Sequence, residues 1–599
     1  MNTGQAQIQP DERILRQLAQ QQELQGRYDQ AGEVYGRLAL MRPQDLGMYM
    51  SARRCYLETK DYAAWEDLIL SLQKRQRDLQ YEVDLAQLAF LNGQRESARQ
   101  KWDEIITANA NNERAYSLVG SLLMETQQWD AAASVYLRGR KGLKDDGRFV
   151  FELVRIYAQL SDYVRMTEEY LGFLKKNPAQ ILFIQGQLVS AVKSRQAQDE
   201  IVRTVQRELG EGGEMSQLRY RLLGALYTQA KEYGKALAQY QGLERSAAAQ
   251  KKEESGVWYY TFAQAAISDG AYAEARKSIE GLLAQSQTPE PLKVRAEFLL
   301  ASILEREDKL AEAISAYEQL VNQWPKSLES ESALLRVAAI YFNDLFDVAS
   351  AEKTYLRLLG RTAAGQPQRQ ETMQKLSECA LVRGDLQRSA DFLQALLPEA
   401  PPDAEVSHQA QLMLAQLDLY RGRPTAALGR LEKIVESYSV ARPGSADDAE
   451  NDVLDCYIFL QNHKTDSLGL SATGQVMLLQ RQRRYAAALD SANRFMETRP
   501  QSGVWPRLFE IKIELLRQLK RPEEALNFCR SGLQDSTRLN GETLMRMQAD
   551  LYDRDLGDRR KALEQYELFL RRYPRSIYVD LVRKRIRELE KSPEPLSED

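Results

Sequence analysis

The sequence predicts an all-α fold, a solenoid of stacked helix–turn–helix pairs, from three observations. A small or closely packing residue returns at a nearly fixed step, first as Ala31, Trp65, Ala98, Ala132 and Met166, at intervals of 33 or 34 residues. It continues as Ala236, Ala275, Ala313, Ala351, Ser389 and Ala427 at steps of 38 or 39, and as Ala488, Ala525 and Ala562 at steps of 37. An aromatic or aliphatic residue follows four positions later almost every time, as at Tyr35, Trp102, Tyr136, Tyr240, Tyr317, Tyr355 and Tyr566, which places both on one face of a helix. Prolines close units at Pro43, Pro178, Pro325, Pro401, Pro500 and Pro574, because proline cannot continue a helix. A chain of 599 residues outgrows a single core, whereas a stack of repeats extends without that limit.

The unit is clearest over residues 220–243, YRLLGALYTQAKEYGKALAQYQGL. Tyr220, Leu223, Gly224 and Tyr227 share one helical face, a polar turn follows at Lys231-Glu232, and Tyr233, Ala236, Tyr240 and Leu243 mark the second helix. Gly224 and Ala236 fall where the two backbones come closest. This pattern resembles the tetratricopeptide repeat (TPR), with its bulky residue, Leu-Gly, Tyr, Ala, aromatic and Pro at set offsets. The resemblance implies a right-handed superhelix whose first helices line a concave groove for peptides or helices.

In chain order, residues 1–10 read as a flexible N-terminal tail and 11–209 as an array of about 34-residue repeats. The last of these is degenerate, because the pattern fades between Ala179 and Gly213. Gly210-Glu211-Gly212-Gly213 reads as a joint; no Gly-Lys-Ser/Thr follows and no strand precedes, so it fails as a phosphate loop. Residues 214–440 form a middle array with the longer period, interrupted by the proline-rich run Pro398 to Asp403. A second joint, Ala441 to Asp448, precedes a third array over 449–589. That array opens with an unpartnered helix from Ala449 to Leu460, since the step from Ala427 to Ala488 is too short for two full units. A closing helix from Ile577 to Leu589 is expected to cap the stack, with Val579, Leu581, Val582 and Ile586 inward and Arg583, Lys584, Arg585 and Arg587 outward. Residues 590–599 read as a flexible tail.

Composition narrows the function. The formal net charge of −4 gives no sign of nucleic-acid binding, and no apolar run approaches the roughly 20 residues that span a bilayer. Cys55, Cys379, Cys456 and Cys529 are scattered on helical patterns, as buried apolar thiols rather than a disulfide or zinc framework. His408 and His463 sit beside predicted turns, read as solvated, without metal-ligand spacing. No HExxH, GxSxG or paired Cys/His motif occurs, so no catalytic residue, metal ligand or cofactor site is assigned and the chain reads as a non-enzyme.

Recognition remains. The TPR resemblance puts Arg16, Arg54, Arg148, Arg155, Arg221 and Arg295 on or near the inner face, where forked hydrogen bonds would favour carboxylates. The family's Lys/Asn set for a terminal carboxylate is not found, and the bland alternative is pairing of these arginines with nearby Glu and Asp. The expected function is a protein-interaction scaffold or adaptor for partner proteins or peptides. The alternative is a structural component that bridges complexes or self-associates. Gln323-Trp324-Pro325-Lys326-Ser327 and Arg572-Tyr573-Pro574-Arg575-Ser576 resemble the repeat endings of bacterial cell-envelope TPR proteins. That likeness implies a periplasmic setting if a signal peptide was trimmed ahead of Met1, and a cytoplasmic one otherwise.

Overall fold

Each helix of this chain buries one stripe and needs a neighbour to cover it, which decides the architecture. The computed structural model describes residues 10–210, 214–249, 256–401, 404–438, 448–534 and 539–591. The expected tails (1–9 and 592–599), most of the glycine joint, and parts of the joints near 400 and 445 lie outside the described residues. Among the described residues there are 32 α-helices and no strand, an all-α helical-repeat solenoid. The chain divides into two units, residues 1–292 and 293–599.

In the first unit, α1 (Pro10–Leu24) pairs with α2 (Tyr28–Met41), α3 (Leu46–Thr59) with α4 (Tyr62–Gln73), and α5 (Leu79–Leu91) with α6 (Arg95–Ala108). The next pairs are α7 (Glu113–Glu125) with α8 (Trp129–Leu143) and α9 (Val150–Gln159) with α10 (Tyr163–Lys176); α11 (Ile181–Ala191) and α12 (Arg195–Glu208) follow in sequence as the next pair, α12 packing on α10 and both helices on α13. Then come α13 (Glu214–Gln229) with α14 (Tyr233–Ala249) and α15 (Val257–Ser268) with α16 (Tyr272–Leu283). The division between the units falls in the first turn of α17 (Glu290–Arg306), which precedes α18 (Leu310–Gln323).

The second unit continues with α19 (Leu328–Ala339) and α20 (Val348–Leu359), α21 (Pro367–Val382) and α22 (Leu386–Leu396), and α23 (Glu405–Tyr420) and α24 (Pro424–Tyr438). A single helix, α25 (Asp448–Asn462), stands between pairs, as the short step predicts. After it come α26 (Ser467–Arg481) and α27 (Tyr485–Thr498), α28 (Trp505–Gln518) and α29 (Pro522–Gln534), α30 (Gly541–Asp550) and α31 (Arg559–Arg572), and α32 (Val579–Lys591).

Every anchor read from the repeat is buried: Ala31, Trp65, Ala98, Ala132, Ala236, Ala275, Ala313, Ala351, Ser389, Ala427, Ala488, Ala525 and Ala562 at 0 %, and Met166 at 2 %. The rings four residues on fill the seam between helices, where a Cβ on Gly224 would lie 3.1 Å from the Tyr240 ring. Burying each such side chain contributes about 1.5–3 kcal/mol. In the degenerate repeat the anchor position falls to Gln198, buried at 5 % and bonded to Glu232, so a polar residue stands where the pattern expects a small one.

The turns inside pairs follow one rule. A left-handed residue follows the first helix in fourteen of the fifteen pairs among the described residues, α11–α12 being the exception. At Lys231, with φ 59°, the Lys231 amide donates to the Thr228 carbonyl and the Glu232 amide to the Tyr227 carbonyl, the Schellman arrangement. The same pair of bonds closes α3 at Lys60 and α7 at Gln127. In α19 and α30 the last turn widens into a π turn, over Ile340–Asp344 and Leu551–Asp555. The two aromatic-Pro-basic-Ser endings are helix starts. Ser327 caps α19 by accepting from the Ser330 amide at 3.1 Å, and Ser576 accepts from the Tyr578 amide at 3.0 Å ahead of α32.

Three expectations are corrected. His408 is buried at 7 % in the first turn of α23 rather than solvated, and His463 is half-buried against Phe459, with rings 5.2 Å apart. On α32, Val579 and Val582 are buried and Ile586 is half-buried, but Leu581 is 58 % exposed. Arg585 turns back to Asp553 at 2.7 Å instead of facing outward. Pro10 and residues 590–591 belong to helices rather than tails.

Candidate partner-binding groove

Five of the six candidate arginines lie on first helices: Arg16 on α1, Arg54 on α3, Arg155 on α9, Arg221 on α13 and Arg295 on α17. Arg148 sits in the turn before α9. Four meet a carboxylate of an adjacent repeat. Arg16 bonds Asp45 at 2.8 Å, Arg54 bonds Glu23 at 2.6 Å, Arg148 bonds Glu113, and Arg295 meets Glu329 at 3.4 Å. These belong to a wider ladder of ties between repeats, including Arg140–Glu169 at 2.6 Å and Arg517–Asp555 at 2.8 Å. Arg221 bonds Gln185 at 3.3 Å and lies 5.0 Å over the Trp258 ring. Arg155 is exposed and has no carboxylate partner among the described residues. One helical turn before it, Phe151 is 48 % exposed and packs against Phe173 and Phe183, at 5.3 and 6.0 Å. This ring patch has no repeat periodicity and escaped the sequence reading.

Deeper in the first unit, three first helices share a buried polar cluster. Asp84 of α5, 0 % exposed, accepts from the Tyr49 hydroxyl at 2.5 Å, Arg53 Nε at 3.2 Å and Gln80 Nε2 at 3.0 Å. Arg53 also donates to Gln87 at 2.7 Å and pairs with Glu125 of α7 at 3.3 Å. Burial raises the Asp84 carboxyl, with Arg53 acting in the opposite sense. With its lone pairs occupied by structural donors, this cluster ties repeats together rather than presenting a reactive group.

The second unit holds a concavity that α25 helps to line. This helix packs on α23 and α24, and α26 packs back onto α23, so the array turns on itself. The turn between α26 and α27 then reaches the turn after α19. Arg483 Nη2 donates to the Asn343 carbonyl at 3.3 Å, across 140 residues, and its guanidinium stacks 4.2 Å over Phe346. Gln482 adds a bond to the Leu381 carbonyl at 3.4 Å. In a stack where repeats meet their neighbours, this contact closes one side of a groove.

Two adjoining cavities of about 430 and 220 Å³ occupy it, sharing Glu378, Met413, Gln416 and Arg481. The floor is apolar and adaptable: Leu412 and Met413 of α23, Phe459 of α25 and Met477 of α26. The rim is charged and mostly internally matched, with Lys375–Glu378 at 3.2 Å and Arg507–Asp455 at 3.5 Å. Arg481 lines both cavities, is exposed, and has no carboxylate partner among the described residues. Burial pushes the Cys456 thiol up to about 11, despite Arg507, so it stays protonated near neutrality and is a poor nucleophile. Burial likewise lifts Cys55 to about 11 and Cys379 and Cys529 to about 12. Among the described residues no cluster of His, Cys, Asp and Glu is placed to hold a metal ion, and no helix is long and apolar enough to cross a membrane. The groove offers shape, apolar surface and a cation, Arg481, that meets the Tyr420 hydroxyl and no carboxylate among the described residues.

Comparison with known proteins agrees with the repeat. Tetratricopeptide repeat families match residues 260–327 and 544–576. No curated protein matches the chain. Among solved structures, a tetratricopeptide repeat protein from Parabacteroides merdae is 12 % identical, covering 56 % of this chain and 98 % of its own, with a TM-score of 0.24. The P58(IPK) TPR domain is 17 % identical, covering 62 % and 97 %, with a TM-score of 0.18. Within an all-α array of helix pairs, this chain carries tetratricopeptide repeats at residues 260–327 and 544–576.

Proposed function

We propose that the chain is a non-catalytic protein-interaction scaffold whose second unit holds a partner segment in the groove turned by α25. The observation that carries this reading is the groove itself: apolar at Met413, Phe459 and Met477, with ion pairs Lys375–Glu378 and Arg507–Asp455 on its rim, and with Arg481 lacking a carboxylate partner among the described residues. A segment with two or three apolar side chains and an acidic residue opposite Arg481 complements it, the apolar burial supplying affinity and the arginine register. In the first unit, Arg155, Arg148 and Arg221 with the Phe151 patch are proposed as a second contact surface of the same kind.

A photo-crosslinking residue at Gln416, compared with one at exposed Gln100 on α6, tests the assignment in cells of the source organism. Partner crosslinks concentrated at Gln416, and lost when Met413 and Met477 are both changed to Glu, support it; equal crosslinking at the two positions refutes it. A pull-down with Arg148, Arg155 and Arg221 changed to Glu tests the first-unit surface separately, and unchanged recovery removes that surface from the proposal. The finer reading, a bridging component of a bacterial cell-envelope assembly, rests on the endings at residues 323–327 and 572–576. It is tested by whether the crosslinked partners are envelope proteins.

A further inference from the structure

A surface at the C-terminal side of the second unit stands apart from the groove. Residues 571–591 contain eight basic side chains against three acidic ones, in a chain whose formal net charge is −4. Arg571, Arg572, Arg575 and Lys584 are exposed and have no carboxylate partner among the described residues. Arg583 has only Asp580, 3.8 Å away and itself 98 % exposed. Beside these charges two aliphatic side chains stand in solvent, Ile577 at 87 % and Leu581 at 58 % exposed. They flank the start of α32, whose other face puts Val579 and Val582 into the core. Lys584 lies one turn after Leu581, and Arg575 two residues before Ile577.

We infer that this surface docks on an anionic lipid bilayer, Ile577 and Leu581 entering the boundary between headgroups and acyl chains while Arg575 and Lys584 meet the headgroups. The combination is that of interfacial binding, where apolar insertion and attraction to anionic lipid add. Two other polyanions fit less well. Nucleic acid gains little from protruding aliphatic groups, and the nearby rings that could stack on bases are occupied: Tyr573 packs on Phe569 at 5.6 Å, and Arg546 covers Tyr578 at 4.8 Å. An acidic peptide is held best in a groove, whereas Ile577 protrudes and is covered most readily by a medium that deforms around it.

The test is co-sedimentation of the full chain with vesicles of phosphatidylcholine alone or with about 30 % phosphatidylglycerol, at about 0.1 M salt. The expected result is partitioning at least about tenfold stronger on the anionic vesicles, from roughly fivefold per engaged basic residue. Arg575→Glu with Lys584→Glu, and separately Ile577→Asp with Leu581→Asp, should each lower it about tenfold or more with circular dichroism unchanged. In Ile577→Trp, the added indole should shift its emission to the blue on anionic vesicles only, a readout independent of the charge variants. Equal partitioning on both vesicles, or no blue shift, overturns the inference. So does loss of binding in the charge variant alone, or displacement by polyglutamate or duplex DNA at equal charge, which would point to an acidic protein or nucleic acid.

Discussion

Replacing Asp84 by alanine should be among the most damaging single changes in the first unit. The carboxylate is fully buried and accepts from Tyr49, Arg53 and Gln80, which sit on two helices of adjacent repeats. Removing it strands the Tyr49 hydroxyl and leaves the half of Arg53 that faced it without a counter-charge. Breaking a buried pair from one side costs about 3–5 kcal/mol. Arg53 keeps Gln87 and Glu125, so the lower end, about 3 kcal/mol, is expected. Because burial already raises the Asp84 carboxyl, the ionised pair is poorly repaid, and the double variant Arg53→Met, Asp84→Leu should recover most of the loss. Hydrogen exchange resolved by peptide is the assay: α3, α5 and α7 should lose protection together in Asp84→Ala and regain it in the double variant. If exchange rises in α5 alone, or the double variant is worse than the single, the cluster does not couple three repeats and the reasoning fails.

Other predictions follow from the packing and the charges. Gly120→Ala should destabilise by about 1–3 kcal/mol despite a better helix propensity, because the new Cβ would lie 2.7 Å from Tyr136 Cε2 in a buried seam; thermal unfolding measures it. The Asp553 carboxyl is held below its usual range; burial opposes this, but the bonds from Arg585 prevail. Its contribution is therefore complete above the unfolded carboxyl range near 4 and is lost as pH falls through the depressed folded value. Acid titration should release α32 from α30, and Asp553→Asn should flatten that titration. For Asp84 the sign is opposite: a raised folded value means acidification relieves a cost, so Asp84→Asn should remove a contribution that weakens as pH rises through the carboxyl range.

Much of this fold was legible because a solenoid repeats its own instructions. One small anchor per second helix, and a ring four residues on, sufficed to locate fourteen of the fifteen second helices, and all those anchors are buried. The remaining one, α12, was obscured by Gln198, whose side chain satisfies itself on Glu232. The short step before Ala488 falls where α25 stands between two pairs. What that helix does was not legible: its packing direction brings Arg483 to Phe346 across the unit, and no local pattern encodes an angle between helices. The arginine reading failed to separate two roles for a similar reason. Arg16, Arg54, Arg148 and Arg295 each have an acid in the adjacent repeat, a partner visible in sequence only once the register between repeats is known. His408 and Leu581 were misplaced because a helix start and a single turn of rotation decide burial, and both lie within the error of periodicity alone.

Helix α25 packs on α23 and α24, and the second unit turns back on itself there to enclose the groove. Spin labels at exposed Asp344 and Arg484, with Cys456 changed to Ser, report it directly through their dipolar distance. Closure predicts a narrow distribution below about 20 Å, whereas three repeats stacked without it, at 8–10 Å per packed helix layer, place the labels about 24–30 Å apart. A dominant population at the longer distance would contradict the account.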